Sequence, residues 1–161
     1  MKSEKLIRIL MKEFGLENIN IEREEQNSEY EGLLLNISNH FYRSRLAKLT
    51  PKKKGYFVAF WEKDTNGVNQ AYSYEQTPEK VMIIVLDQEK RGQFIFPKDV
   101  LLQYGIVKSP EQKGKMALRV YPSWITDLNT NATKTQSWQL NYFVDLSDGL
   151  DIEKVKKLYF E

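Results

Sequence analysis

The chain has 161 residues, of which 41% are apolar and 29% charged, with no cysteine and a formal net charge of +2. Those values fit a single globular domain spanning residues 1–161 and exclude disulfides, thiolate chemistry and zinc fingers. No run of about eighteen apolar residues exists, which excludes a transmembrane helix.

The first stretch, MKSEKLIRILMKEF, sets Leu6, Ile7, Ile9, Leu10 and Phe14 at helical spacing. The spacing predicts a helix over 3–14, capped by Ser3 and ended by Gly15. Charges interrupt its apolar stripe, so it reads as an amphipathic helix and not as a signal peptide. The polar run IEREEQNSEYE reads as a loop or a poorly packed helix. Strands follow. Residues 32–37 and 41–48 flank Ser38-Asn39-His40 as a hairpin, and Thr50-Pro51 breaks the pairing because proline has no N–H to donate. Residues 55–63 (GYFVAFWEK) are apolar on both faces, as in a strand within a sheet. Asp64-Thr65-Asn66-Gly67 is a turn into a returning strand over 70–74.

KVMIIVLD, at 80–87, is the strongest strand of the chain. Lys90-Arg91-Gly92 turns into a strand over 93–97, and Pro97 opens a helix over 99–104 closed by Gly105. The loop SPEQKGK leads to a strand over 116–121. Asn129, Thr130 and Asn131 offer caps for a helix over 132–146, and Asp151 begins a final short helix. The order is helix, antiparallel strands with one inserted helix, then helices. That is α+β, mainly antiparallel, and not alternating α/β.

Charge is distributed unevenly along this nearly neutral chain. Residues 1–31 hold five positives and eight negatives, a net of −3; residues 41–63 hold seven positives and one negative, a net of +6. Such segregation creates a local field whatever the overall balance. In the basic stretch, Arg43 and Arg45 share one face of the predicted strand, about 7 Å apart. Lys48, Lys52, Lys53 and Lys54 follow, beside Tyr56 and Trp61. Basic groups neutralise phosphates, and planar ones stack on unpaired bases. The predicted partner is therefore nucleic acid, DNA or RNA, bound through phosphates, with an acidic protein partner as the alternative. Phe57, Phe60 and Trp61 lie in the two-sided apolar strand and read mostly as core, and Trp138, Tyr142 and Phe143 as a packing stripe on the last long helix. Lys134, Gln136 and Gln139 are expected on that helix's outer face. Arg119 points away from Leu118 and Val120, toward solvent or an anion.

Catalytic motifs are sparse. Neither GxxxxGK[ST] nor GxGxxG is present. The single histidine, His40, reads as a solvated turn residue, which leaves no general base of the usual kind. The catalytic alternative is a metal-dependent nuclease, with Asp87 and Lys98 at the ends of successive strands, Gln93 where a second acid would serve, and Glu29 or Glu31 joining by a coincidence of folding. The expectation is a protein that is not an enzyme, with no catalytic or metal-ligating residues, no cofactor and no membrane partner, in the cytoplasm.

Four ordered blocks, YRSRLAKLTPKKKGYFVAFWEK, GQFIFPKDVLLQYGI, GKMALRVYPSW and KTQSWQLNYF, resemble the MepB family. This is a group of small bacterial proteins, one of them encoded beside a multidrug efflux pump and its regulator. The resemblance implies an α+β fold related to DNA-recognition domains of certain restriction endonucleases, and non-catalytic, sequence-tolerant nucleic-acid binding. The polar positions it implicates are Arg43, Lys48, Thr50 and Lys52, then Lys98, Arg119, Lys134 and Gln136. Two positions depart from the pattern. Tyr56 replaces a polar residue, and Met116-Ala117 replaces a basic-Gly pair, removing one positive charge.

Overall fold

A computed structural model describes all residues, 1–161. It contains helices α1 (Lys2–Glu13), α2 (Lys98–Gln103), α3 (Thr130–Gln139) and α4 (Ile152–Phe160). The strands are β1 (Ile19–Arg23), β2 (Leu33–Ile37), β3 (His40–Leu46), β4 (Lys48–Leu49), β5 (Tyr56–Ala59), β6 (Trp61–Lys63), β7 (Asn69–Ala71), β8 (Lys80–Asp87), β9 (Lys90–Pro97), β10 (Ala117–Val120) and β11 (Phe143–Asp145). No helix is long and apolar enough to cross a membrane.

The central six-stranded sheet runs β1-β2-β3-β8-β9-β11, a three-stranded sheet runs β10-β5-β4, and β6-β7 form a separate ribbon. All pairings are antiparallel except β3 with β8. The continuous apolar run of β8 follows from its place in the middle. Val81, Ile83 and Val85 face one core with Tyr56, Val58 and Val120 of the small sheet, and Met82 and Ile84 face a second core with Ile7 and Leu10 of α1 and Val155 and Tyr159 of α4. Alternation in β8 thus divides the molecule into layers, α1 and α4 on one side and the small sheet with α2 and α3 on the other. Because β3 and β8 are parallel neighbours, the chain needs a long crossover between them. Residues 47–79 make that crossover and carry the lysine loop across the second layer.

Several local expectations hold. Ser38 and Asn39 take φ of 51° and 66° in the β2–β3 hairpin, matching a type I′ turn. The Asp64 carboxylate accepts from the N–H groups of Asn66 and Val68, with Gly67 at φ 77°. β5 is the middle strand of its sheet. Asn129 and Asp151 cap α3 and α4 by accepting from the N–H groups of Ala132 and Lys154.

Other expectations are corrected. Part of the run read as a loop or loose helix is β1, which pairs with β2 through Ile21 and Leu35. Ser3 is no cap; it lies inside α1, and its N–H (2.9 Å) and hydroxyl (2.7 Å) both donate to Glu31. A carboxylate thus serves the helix N-terminus. The strand over 41–48 ends at Leu46, and Lys48 belongs to the other sheet. The strand over 55–63 divides at Phe60 between β5 and β6. His40 begins β3, and its ring packs edge-on against Phe160 at 5.2 Å, a partner that turn solvation did not foresee.

The helix over 132–146 stops at Gln139, passes through a 3-10 turn (Leu140–Tyr142) and becomes β11. Phe143 is therefore a strand residue, and Gly92 makes room for it. A Cβ at position 92 would stand 2.5 Å from the Phe143 ring and 2.9 Å from the Val144 carbonyl. Gly92→Ala is expected to displace the β11 edge and cost roughly 1–3 kcal/mol, the usual range for overpacking, measured by urea unfolding. An unchanged midpoint would mean that β11 yields freely.

Buried phenols give the fold an alkaline limit. Tyr42 and Tyr159 are raised well above the ordinary value of 10.0, chiefly by burial. Tyr56 is pushed up to about 12 by burial, with its hydrogen bond to Asp87 adding to the shift. A raised folded-state pKa means that the neutral form is favoured in the native state. The stabilisation is complete below pH 10 and declines as pH rises through the folded values. Lys80, lowered by burial, acts in the opposite sense, one group against six phenols shifted upward. The urea midpoint is expected to fall steadily from pH 10 upward; a flat profile would contradict these environments.

Candidate nucleic-acid interface

The basic segment separates into an interior part and a surface part. Arg43 and Arg45 do share a face, but that face points inward. Their exposures are 9% and 0%. Glu24 accepts from Arg43 Nε and Nη2 (3.2 and 3.1 Å) and from Arg45 Nη1 (2.6 Å). Arg45 also donates to Asn27 Oδ1 and the Tyr72 hydroxyl, while the Arg43 guanidinium lies 3.8 Å from the Tyr72 ring centroid. Gly32 leaves room for Arg45, since a Cβ there would stand 3.1 Å from Nη1. The expectation that these arginines grip phosphates is corrected: their donors hold the turn after β1 and Tyr72 against β3.

The surface part forms a groove of about 790 Å³ between the small sheet and α3. Lys52 and Lys53 line one side; Lys115, Arg119, Tyr104 and Trp138 line the rest, together with Phe57, Tyr121 and Thr135. Its lining contains four basic side chains and no acidic one. Cross-strand register brings Arg119 and Phe57 together, because they stand opposite one another across β10 and β5. A further hollow shares Lys52, Lys53 and Arg119 and contains one acid, Asp127. Lys134 lines a third hollow with Tyr104 and Trp138.

The loop over 50–54 is held in place by its own polar groups. Arg119 donates to the Lys54 carbonyl (3.0 Å) and to Thr50 Oγ1 (2.6 Å). Lys54 turns its ammonium onto the carbonyls of Thr126 and Asp127 (3.0 and 2.9 Å). Arg119, Thr50 and Lys54 therefore position the loop, and Lys52 and Lys53 are left exposed. Behind the groove, Gln139 accepts from the Tyr121 N–H and donates to the Arg119 carbonyl, tying α3 to β10. Gln136 is expected outward but donates to the carbonyls of Pro122 and Ile125, which makes it a clamp.

Two further candidates stand elsewhere. Lys48 is exposed, with its ammonium 4.9 Å from the Tyr30 ring centroid, and does not line the groove. Lys98 donates to the Tyr74 carbonyl and stands over that ring at 4.3 Å, also away from the groove. Conversely, the sequence reading missed Lys115 and Tyr104. Lys115 directly precedes Met116-Ala117, so a basic group survives one position before the departure from the family pattern.

The proposed catalytic pair is not assembled. β8 and β9 are antiparallel, with Asp87 opposite Lys90 and Lys80 opposite Pro97. Asp87 and Lys98 therefore lie at opposite ends of the hairpin, roughly 20 Å apart at about 3.3 Å per residue. Asp87 instead accepts from the Tyr56 hydroxyl (2.7 Å), which accepts in turn from Trp124 Nε1. Gln93 is buried and accepts from the Tyr159 hydroxyl (2.6 Å), and Glu31 is engaged by Ser3. Glu29 is exposed and forms no group with them; no three His, Asp or Glu side chains are placed to hold a metal ion.

No curated protein matches the sequence. Among solved structures, a crystal structure of MepB is 43% identical, with a TM-score of 0.82 over 92% of this chain and 99% of that one. A bacterial homing endonuclease aligns at 11% identity over 86% of this chain and 92% of its own, but its TM-score of 0.33 carries no argument. The MepB-like family model matches residues 24–145, a span that includes the buried arginine cluster, the lysine loop and the whole lining of the groove, and the chain belongs to the MepB-like family.

Proposed function

We propose that this protein is a cytoplasmic, non-catalytic nucleic-acid-binding protein whose groove neutralises phosphates with little regard to sequence. The observation that carries the reading is the lining itself: four basic side chains, no acidic one, and aromatic faces beside them. Lysine ammoniums act as point charges toward phosphate, and they release counterions on binding. Sequence tolerance follows from how the one arginine is used. Bidentate recognition of guanine needs a free guanidinium fork, and both terminal nitrogens of Arg119 already donate within the protein.

A nuclease reading has no comparable support, because its residues are separated and engaged elsewhere. The test is fluorescence anisotropy with labelled DNA and RNA oligonucleotides at low salt, followed by incubation of the same strands with Mg²⁺ or Mn²⁺. Binding of several unrelated sequences with intact strands is expected. Absence of binding at low salt would reject the proposal, and protein-dependent cleavage would reject its non-catalytic part.

A further inference from the structure

We infer that a bound polynucleotide does not end in the groove but crosses the lysine loop into a second hollow, so that both sides of the loop contact it; this rests on the nucleic-acid reading above and adds a second contact surface to it. The second hollow, of about 740 Å³, is lined by Leu49, Lys52, Lys53, Lys54, Trp124 and Ile125 among others, with three basic side chains and no acidic one. Register places it on the other side of the small sheet. Directly opposed residues share a face, and Lys48 stands opposite Phe57 while Leu49 stands opposite Tyr56. Phe57 lines the groove, whereas Tyr56 belongs to the core between the layers and holds Trp124. Thr50, Pro51, Lys52 and Lys53 border both hollows, so the loop is the ridge between them.

The floor of the second hollow is ordered. Trp124 Nε1 donates to the Tyr56 hydroxyl (3.0 Å), and the indole stands edge-on to the Tyr56 and Phe143 rings, at 6.4 and 5.8 Å. Leu49 is 64% exposed. A lone exposed leucine is ordinary, but this one shares a hollow with an indole and three lysines. Asp127, next in sequence to Thr126, lines the hollow that contains Arg119 and not this one. The occupant is argued from continuity and charge together. A polyanion lying in the groove against Lys52 and Lys53 is already on the ridge, and the surface beyond the ridge is positive again. A small free anion would satisfy the lysines and leave Leu49 and Trp124 without a role, whereas phosphates joined by less polar units meet both. Two weak contacts on one chain also reinforce each other, because the second forms at the effective concentration set by the first.

The test measures affinity for oligonucleotides of stepwise increasing length at equal salt, for the wild type, Leu49→Met and Leu49→Glu. Leu49 belongs to neither core and does not line the groove, so both variants should fold, and a carboxylate at position 49 opposes phosphates in the second hollow. Past a threshold length, wild-type affinity is expected to rise by about tenfold or more, beyond the proportional gain from additional binding registers. Leu49→Glu should remove that rise and leave the shortest oligonucleotides nearly unaffected, and Leu49→Met should keep it. In the wild type, a long oligonucleotide carrying photoreactive 5-iodouracil along its length should cross-link to residues 124–126 as well as to the groove. A gain merely proportional to length, an equal loss on short and long oligonucleotides in Leu49→Glu, or cross-links confined to the groove would overturn the inference while salt-dependent binding of short oligonucleotides left the broader reading standing. No binding at any length would overturn both.

Discussion

Changing Glu24 to glutamine is expected to destabilise the fold by about 3–5 kcal/mol, the cost of leaving buried charge without its partner. Glu24 is the one carboxylate paired with both Arg43 and Arg45, and its side chain is only 7% exposed. Without it two cationic guanidiniums remain side by side in a buried site, and Arg43 already has one nitrogen without a partner. At this chain length the loss corresponds to a drop in Tm of roughly 6–20 °C. Urea unfolding measures it as a shift in midpoint at constant m. A triple replacement, Glu24→Leu with Arg43→Met and Arg45→Met, removes all three charges together and should recover much of the loss. A change below about 1 kcal/mol for Glu24→Gln would mean that solvent reaches the cluster.

Replacing Lys52, Lys53 and Lys115 together by alanine is expected to weaken binding at least tenfold on every sequence tried, and to flatten the salt slope by about three. The three are exposed and make no hydrogen bond that the fold requires, so stability should change by no more than about 0.5 kcal/mol per substitution. Arg45→Met makes the contrast. It should lower stability and leave the salt slope of the remaining folded protein intact, because Arg45 is wholly buried. A loss confined to one sequence, or a slope unchanged in the triple variant, would contradict phosphate binding at this groove.

The division between the two halves of the basic segment shows what the sequence could and could not tell. Alternation correctly put Arg43 and Arg45 on one face, but it says nothing of what lies opposite. Glu24 lies 19 and 21 residues earlier, in a polar run without strand periodicity, so its partnership exists only once β1 has paired with β2. The two-sided apolar pattern of β8 and β5, the Asn129 and Asp151 caps and the Asp64–Gly67 turn were legible because each depends on near neighbours. The groove was half legible. Its lysine loop stood out by local charge, whereas Lys115, Tyr104 and Trp138 reach it from 50 to 86 residues away through β5–β10 pairing and the α3–β10 ties.

The same limit explains the failed catalytic pair. Ends of successive strands are neighbours in sequence logic but opposite poles of an antiparallel hairpin, and Asp87 and Lys98 occupy those poles. The end of α3 was overextended for a related reason. Trp138 and Tyr142 keep helical spacing, yet Phe143 gains more by entering the slot that Gly92 leaves at the edge of the sheet.

The most direct measurement is the affinity of the wild-type protein for a single-stranded oligonucleotide across a salt series. Lys52, Lys53, Lys115 and Lys134, with Arg119 contributing its charge from the groove wall, give about five cations along the path. A slope of log K against log[salt] of roughly −3 to −4 is then expected for a single strand, and −4 to −5 for a duplex. Affinity that does not change with salt, or no retention of any nucleic acid at the lowest salt, would contradict the account.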